Sequence, residues 1–440
     1  MKKLLALLLC MLMVLGTSLA AVGEGEKTVL NLWSFTDEVP KMVDKFMELN
    51  PDFAAEYEFN VTQISTTDGA YQPALDLALA EGSVDLFCAE SAFVLKYTQG
   101  DAYQFAAPYK DLGIDVDAEL AAAEIAPYTV DIGTNPNCDL VGLGYQATGG
   151  AFVYRRSIAI DTWGTDDPAV IATKVGPGWD QFFVAAEELK AKGYGIVSGD
   201  GDIWNAIRTS TDPWIVDGKL NLSEDRMRFM EFARTLYEND YSNKTQDWQD
   251  AWFADFKGEG EKPIFGSFGP AWLINYVMVG NVGGSAPGEG TFGDWAICVP
   301  PVGFFWGGTW LIGAEASQHK DAVGKFIEWI TLDPSDTGLQ YYWANGTLFG
   351  EGGTKDTVGS GVVMAKSNGE VALLGGQNMF TVFVPATAFA TGDTMTQYDE
   401  TINLNFRDKV RGYAAGELTL DEAIEAFKQQ VADNLDVIVE

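Results

Sequence analysis

Apolar positions along this chain fall into short blocks whose period switches between two and three to four residues. Thr28-Val29-Leu30-Asn31-Leu32-Trp33 reads as a buried strand, with a loop from Ser34 to Asp37. Met42, Val43, Phe46 and Leu49 then recur at helical spacing, with Pro40 in the first turn and Asn50-Pro51 as the stop. A second strand is predicted over 57–64 and a second helix around Leu75 and Leu79, ending at Glu81-Gly82. A third strand covers Val84 to Cys88. Strands alternating with helices predict an α/β unit with a mostly parallel sheet.

The middle of the chain keeps this character but is richer in helix. Trp179-Asp180 opens a helix with Phe182, Phe183, Ala186 and Leu189 inward, and Ser223 precedes another carrying Met227, Met230, Ala233 and Leu236. Gly-rich 281–293 reads as a loop, and Trp295–Val299 as a strand stopped by Pro300-Pro301. A helix follows over 319–330, and Thr419-Leu420-Asp421-Glu422 forms a capping box for the last one.

The first twenty residues read as an address. Met1-Lys2-Lys3 is basic, Leu4 to Leu15 is apolar, and Ser18-Leu19-Ala20 supplies small residues for a cut before Ala21. Residues 1–20 are therefore expected to be a signal peptide. Leu19-Ala20-Ala21-Val22-Gly23 has the form of a bacterial lipobox with Val22 where the acylated cysteine would stand, so an exported protein, extracellular or periplasmic, is expected, released as written, with cell-surface association left open.

Composition narrows the chemistry. With 28 Lys+Arg against 63 Asp+Glu, the net charge of −35 repels phosphate backbones and anionic lipid, which excludes nucleic-acid binding. His319 is the only histidine, and it opens a solvated helix, so His-dependent nucleophilic, zinc and haem sites are not expected. Cys88, Cys138 and Cys298 form an odd set beyond the leader, without CxxC, and predict no disulfide framework. Gly199-Asp200-Gly201-Asp202 has the start of a calcium loop but lacks the remaining ligands. No metal, cofactor or catalytic residue is expected.

Six segments, in order, carry a family resemblance: Leu30–Phe35 with Phe46–Pro51; Ala78–Phe87; Gly144-Tyr145-Gln146 with Val153–Arg156; Gly269-Pro270-Ala271-Trp272; Gly293–Pro300 with Gly307–Trp310; and Gly412–Phe427. Together they resemble the carbohydrate-binding extracellular solute-binding proteins of bacterial ABC importers, the family that includes maltodextrin-binding proteins. The resemblance implies an α/β, two-lobe periplasmic-binding-protein-like fold with a hinged cleft and discontinuous lobes. Lobe I would take 28–145 plus 304–332, and lobe II 146–303 plus 333–440. It also implies a monomer that captures a carbohydrate, an oligosaccharide on the strength of its several loop tryptophans, and delivers it to a membrane permease.

Sugars offer apolar faces to indole and phenol rings and hydroxyls to carboxylates and amides. Ser34 and Phe35 follow the first strand and Glu90 the third, at the strand ends where open α/β sheets place ligands. Glu90 has an alternative role as a cap on the helix that follows. Tyr145 and Gln146 lie at the expected hinge, and Trp272 follows Gly269-Pro270, read as a turn. Trp306 and Trp310 flank Gly307-Gly308, where backbone can approach a ligand closely. Trp204, Trp214 and Phe380 are weaker candidates. The expected ligand set is Ser34, Phe35, Glu90, Tyr145, Gln146, Trp204, Trp272, Trp306, Gly308, Trp310 and Phe380. Two other classes remain open on sequence: a secreted glycoside hydrolase, and a binder of polyamines or other cations.

Overall fold

The structure, a computed structural model, describes residues 27–66, 69–350 and 352–439. The expected signal peptide and Val22 lie outside these residues. Ten strands run through the described chain: β1 (Thr28–Ser34), β2 (Tyr57–Gln63), β3 (Leu86–Glu90), β4 (Gly142–Gly144), β5 (Ala151–Arg155), β6 (Ile215–Val216), β7 (Lys219–Leu220), β8 (Gly266–Gly269), β9 (Trp295–Cys298) and β10 (Thr309–Gly313).

The larger sheet has the order β2-β1-β3-β10-β4. Its first three strands are parallel, as the alternating pattern predicts, with Leu32 opposite Leu86 and Val61. β10 is antiparallel to both β3 and β4. It enters from the other half of the molecule, without the crossover helix that a parallel strand needs. Leu30 and Leu32 are fully buried beneath the helix Glu38–Leu49. That helix buries Val39, Met42, Val43 and Phe46. Phe46 meets Phe326 of the helix Lys320–Thr331 edge-to-face at 5.1 Å. Pro51 does not simply end the first helix; it opens a further one, Pro51–Glu56, in the N-terminal position proline suits.

β3 begins two residues later than the apolar block suggests. Asp85 is held outside it, accepting from the Asn31 amide (2.8 Å) and the Ser317 hydroxyl (2.6 Å). Glu90 is thus the last residue of the strand. The smaller sheet, β8-β5-β9, is antiparallel throughout. It packs against helices including Gly178–Lys190, whose Trp179 and Phe182 meet Phe268 at 5.6 and 5.5 Å. The helix Glu224–Glu238 buries Arg226, Phe229, Met230, Ala233 and Leu236; Met227 and Tyr237 lie off this face. The capping box at Thr419 and Glu422 forms as predicted.

The chain passes between the sheets over 145–150 and returns over 299–308. Residues 339–361, which the sequence reading gives to lobe II, are stitched to lobe I instead. Ser360 Oγ donates to the Ala123 carbonyl (2.7 Å), the Ala126 amide to the Gly359 carbonyl (2.8 Å), and Trp343 packs edge-on to Tyr145. Only Leu339–Asn345 of this stretch is helical before the helix Gly361–Lys366 begins, and the loop between them has no apolar period that could say which sheet it covers.

Candidate functional site

The C-terminal ends of β1, β2 and β3 and the N-terminal end of β10 open onto one cleft. Its other wall comes from the helix Asp200–Ile207, the loop 246–249, the helix start at Trp272 and the helix Asp399–Ala414. The cleft encloses about 440 Å³. The position follows from the sheet: strand ends leave main-chain groups and loops facing outward at the edge where the topology changes direction.

Three tryptophans build one side. Trp272 and Trp248 lie nearly parallel, with centroids 6.2 Å apart at 15°. Trp306 stands edge-on to both, at 4.6 and 6.3 Å. The indole N–H of Trp272 donates to the Trp306 carbonyl at 3.0 Å, which fixes its ring. Gly307 and Gly308 follow with φ of +73° and +109°, a path L side chains rarely adopt. Trp248 is 37% exposed and has a φ of +67°, a left-handed backbone costing roughly 1–2 kcal/mol for a non-glycine residue. Strain of this kind clusters at ligand sites.

The floor is polar and rich in donors. Trp204 Nε1, Asn205 Nδ2 and Arg208 Nε, on one helical stretch, are buried without a hydrogen-bond partner among the described residues. The Arg208 guanidinium sits 5.4 Å from the Trp306 ring centroid, and burial lowers its pKa. Asp247 takes both terminal nitrogens of Arg407, one at 3.1 Å, and lies 3.7 Å from Arg411. Burial alone would raise the Asp247 carboxyl, but these guanidinium charges outweigh it and leave it below its usual range.

Three further carboxyls face the cleft. Glu90 Oε1 accepts from Ser91 Oγ and Oε2 from the Ala92 amide, both at 2.7 Å. Both oxygens are therefore held by the turn that precedes the helix Val94–Thr98, whose N-cap is Phe93 without a side-chain cap, so Glu90 pins that turn and does not cap the helix, while the residue still lines the cleft. Burial, with the charge of Glu90 adding to it, pushes Glu400 up to about 7; its side chain bonds Gln72. Burial also raises Glu38 to about 7, although Tyr145 donates to it at 2.8 Å.

Of the expected ligand residues, Phe35, Glu90, Gln146, Trp204, Trp272, Trp306 and Gly308 are brought together along this cleft. Trp204 is 1% exposed and packs on Phe229 and Phe406, so only its indole edge borders the floor. Trp272 is not in a turn; it occupies the first turn of a helix over 271–281. The other four are placed elsewhere. Ser34 is buried and donates to the Thr36 carbonyl. Tyr145 is buried and committed to Glu38. Trp310 is in the core, donating to the Thr129 carbonyl and packing on Tyr128. Phe380 is buried beside Gly369, away from the cleft. Trp214 stacks under the Arg226 guanidinium at 3.6 Å.

Trp248, Arg208, Asn205, Asp247, Tyr276, Glu400, Arg407 and Arg411 also line the cleft and were not anticipated. The available signal was Trp248, an isolated indole in the polar run 243–250. The calcium-like run 199–202 is a helix start: Asp202 accepts from the Ser198 and Gly199 amides and from Ser267 Oγ. Among the described residues no cluster of three or more His, Cys, Asp or Glu is arranged to hold a metal.

No match emerges among curated proteins. Solved structures align over nearly the whole chain. A crystal structure of a family 1 extracellular solute-binding protein is 20% identical, with a TM-score of 0.71, covering 92% of this chain and 99% of its own. The galacto-N-biose/lacto-N-biose I-binding protein of an ABC transporter from Bifidobacterium longum, in complex with lacto-N-biose, is 14% identical with a TM-score of 0.69, over 95% and 100%. The sugar-binding protein MalE from Xanthomonas citri is 17% identical with a TM-score of 0.63, over 92% and 97%. These likenesses establish the two-lobe α/β fold. The family model for bacterial extracellular solute-binding proteins matches residues 33–336, well over half of the sequence, and the chain belongs to that family.

Proposed function

We propose that this protein captures a carbohydrate, an oligosaccharide, in the cleft between its lobes and presents it to the permease of an ABC importer. The observation that carries this is the wall of Trp248, Trp272 and Trp306. Trp248 and Trp272 are stacked at 6.2 Å, and Trp306 stands edge-on to both, so three indoles gather at one side of the cleft. Stacking on sugar C–H faces buries area at low entropic cost, because an indole has two rotatable bonds. Amides and carboxyls of Gln146, Asn205, Glu90 and Glu400 border the same space and suit hydroxyls.

The protein acts as a monomer, exported and released, and binds its ligand without altering it. Its two lobes move on the connections 145–150 and 299–308, and ligand touching both faces favours the closed arrangement by its differential affinity. A polyamine fits less well, since Arg208, Arg407 and Arg411 stand in the cleft. A thermal-shift screen over oligosaccharides, polyamines and peptides tests the reading, because a ligand of the native state raises the melting temperature by mass action. A shift with oligosaccharides alone supports it; a shift confined to polyamines or peptides overturns it. New reducing ends on prolonged incubation would make the protein a hydrolase.

A further inference from the structure

Three buried donors on the cleft floor have no acceptor among the described residues. Three of the eight arginines in the sequence line the cleft and, among the described residues, no lysine does. The whole chain carries a net charge of −35, so this concentration of guanidinium groups runs against its composition. Two of the three have work within the protein. Arg407 is bidentate on Asp247, and Arg411 lies 3.6 Å from Asp200 and 3.7 Å from Asp247.

Arg208 has none. Among the described residues its side chain makes no hydrogen bond and has no carboxylate at ion-pair distance; its contact is the face of Trp306. The negative groups that act on it from a distance are each held by something else. Glu90 is bonded to Ser91 and Ala92, Asp247 to Arg407, and Asp399 to the amide and hydroxyl of Thr396. One turn earlier on the same helical face, the Asn205 amide nitrogen and the Trp204 indole nitrogen are also unsatisfied. Those two residues are 2% and 1% exposed, and both border the cleft.

Buried donors without partners are costly and rare in native proteins. A group of them gathered at a ligand cleft indicates what the ligand brings. A neutral hydroxyl both donates and accepts, and it offers a guanidinium no bidentate acceptor. A carboxylate accepts only, carries the opposite charge, and matches the planar fork of Arg with two parallel bonds. The Arg208 guanidinium lies over the Trp306 ring, so this anion subsite adjoins the aromatic side of the cleft.

We propose that the captured carbohydrate is acidic, with its anionic group, a uronic acid carboxylate, seated on Arg208 and the donors of Asn205 and Trp204. This rests on the carbohydrate reading above and names its substrate class. A sulfate ester can accept from the same donors, so the test separates the two sources.

The experiment is calorimetric titration with pairs matched in ring number and differing in an anionic group: galactobiose against digalacturonate and against 6-O-sulfogalactobiose, and xylotriose bearing 4-O-methylglucose against xylotriose bearing 4-O-methylglucuronate. The acidic member of at least one pair is expected to bind about tenfold tighter or more, with the advantage shrinking as salt is raised. Arg208→Gln should remove the difference between members, and Arg208→Lys, which keeps the charge but not the fork, should restore part of it. Circular dichroism and melting temperature establish that both variants fold. A larger gain for the sulfated sugar assigns the anion to a sulfate ester on the same subsite. Neutral members binding as tightly as acidic ones, or a preference that survives Arg208→Gln, overturns the inference and leaves carbohydrate capture standing. No binding by any member removes both.

Discussion

The indole N–H of Trp272 donates to the backbone carbonyl of Trp306 at 3.0 Å while the two rings meet edge-on at 4.6 Å. One tryptophan thus orients the other through the main chain, and the pair is set before any ligand arrives. Trp272→Ala removes a stacking surface and should weaken oligosaccharide binding by about 1–3 kcal/mol. Trp272→Phe keeps a ring but loses the anchor, and should fall between. Calorimetry on both variants, with chemical denaturation alongside, checks this. Unchanged affinity with a large loss of stability would show that Trp272 serves packing alone.

Trp248 offers a cleaner separation of binding from folding. It is partly exposed and its backbone is left-handed. Trp248→Gly and Trp248→Ala both lose the ring, so their affinities should drop together. The glycine variant should be more stable than the alanine variant by about 1 kcal/mol, because glycine adopts this φ freely. Equal stabilities would mean that the loop relaxes to another conformation.

Glu90 is held at both oxygens by its own loop. Glu90→Gln retains one acceptor, whereas Glu90→Ala frees both the Ser91 hydroxyl and the Ala92 amide. The alanine variant should lose roughly 1 kcal/mol of stability, and the glutamine variant less. If ligand hydroxyls also reach Glu90, affinity falls in the same order; full affinity in Glu90→Ala would confine the residue to holding its own turn. Melting temperature and titration on the pair decide between these outcomes.

Several buried carboxyls make stability depend on pH in one direction. Burial lifts Glu38 from 4.5 to about 7 and Asp356 from 3.8 to about 8, even though Gln146 donates to Asp356 at 2.8 Å. The folded state therefore keeps these protons where the unfolded chain has lost them. The contribution is fully present below the unfolded values and declines as pH rises through about 7 and about 8. The melting temperature should be higher near about pH 5.5 than near about pH 8.5, at about 2–4 °C per kcal/mol for a chain of this size. Relief of the general negative charge acts in the same sense, so the discriminating measurement is Asp356→Asn. It should flatten the slope between these values, and an unaltered slope would assign the effect to net charge.

The strands and helices were legible where apolar residues keep one period. β1 appears within one residue of its predicted end, and the helix Lys320–Thr331 likewise. Strand ends also located the cleft. What they did not give was the face of each side chain. Along β10 the alternation sends Thr309 to the cleft and Trp310 to the core, and at the exit of β4 it sends Gln146 one way and Tyr145 the other. Proximity to a strand end names a segment, whereas period two decides which of its neighbours is useful. Arg208 was invisible for another reason: a cation lacking a partner is a property of the assembled fold. Residues 339–361 show the same limit, since the hydrogen bonds at Gly359 and Ser360 that hold them to lobe I form only in the assembled fold.

The antiparallel insertion of β10 has a consequence for how the chain acquires its structure. β4 pairs with β10 alone, and β10 follows every strand of the smaller sheet in sequence. As the chain emerges from its N-terminus, β1, β2 and β3 can zip together, but the edge of β3 stays open and β4 has nothing to hold. The smaller sheet has all its strands by Cys298, before its neighbour is complete. The larger sheet is thus last to close, through contacts of high sequence separation that raise contact order and slow folding. Until Thr309 arrives, the nascent protein displays an unpaired parallel edge of the kind that invites association with other chains, which is the interval during which a holding chaperone has most to protect.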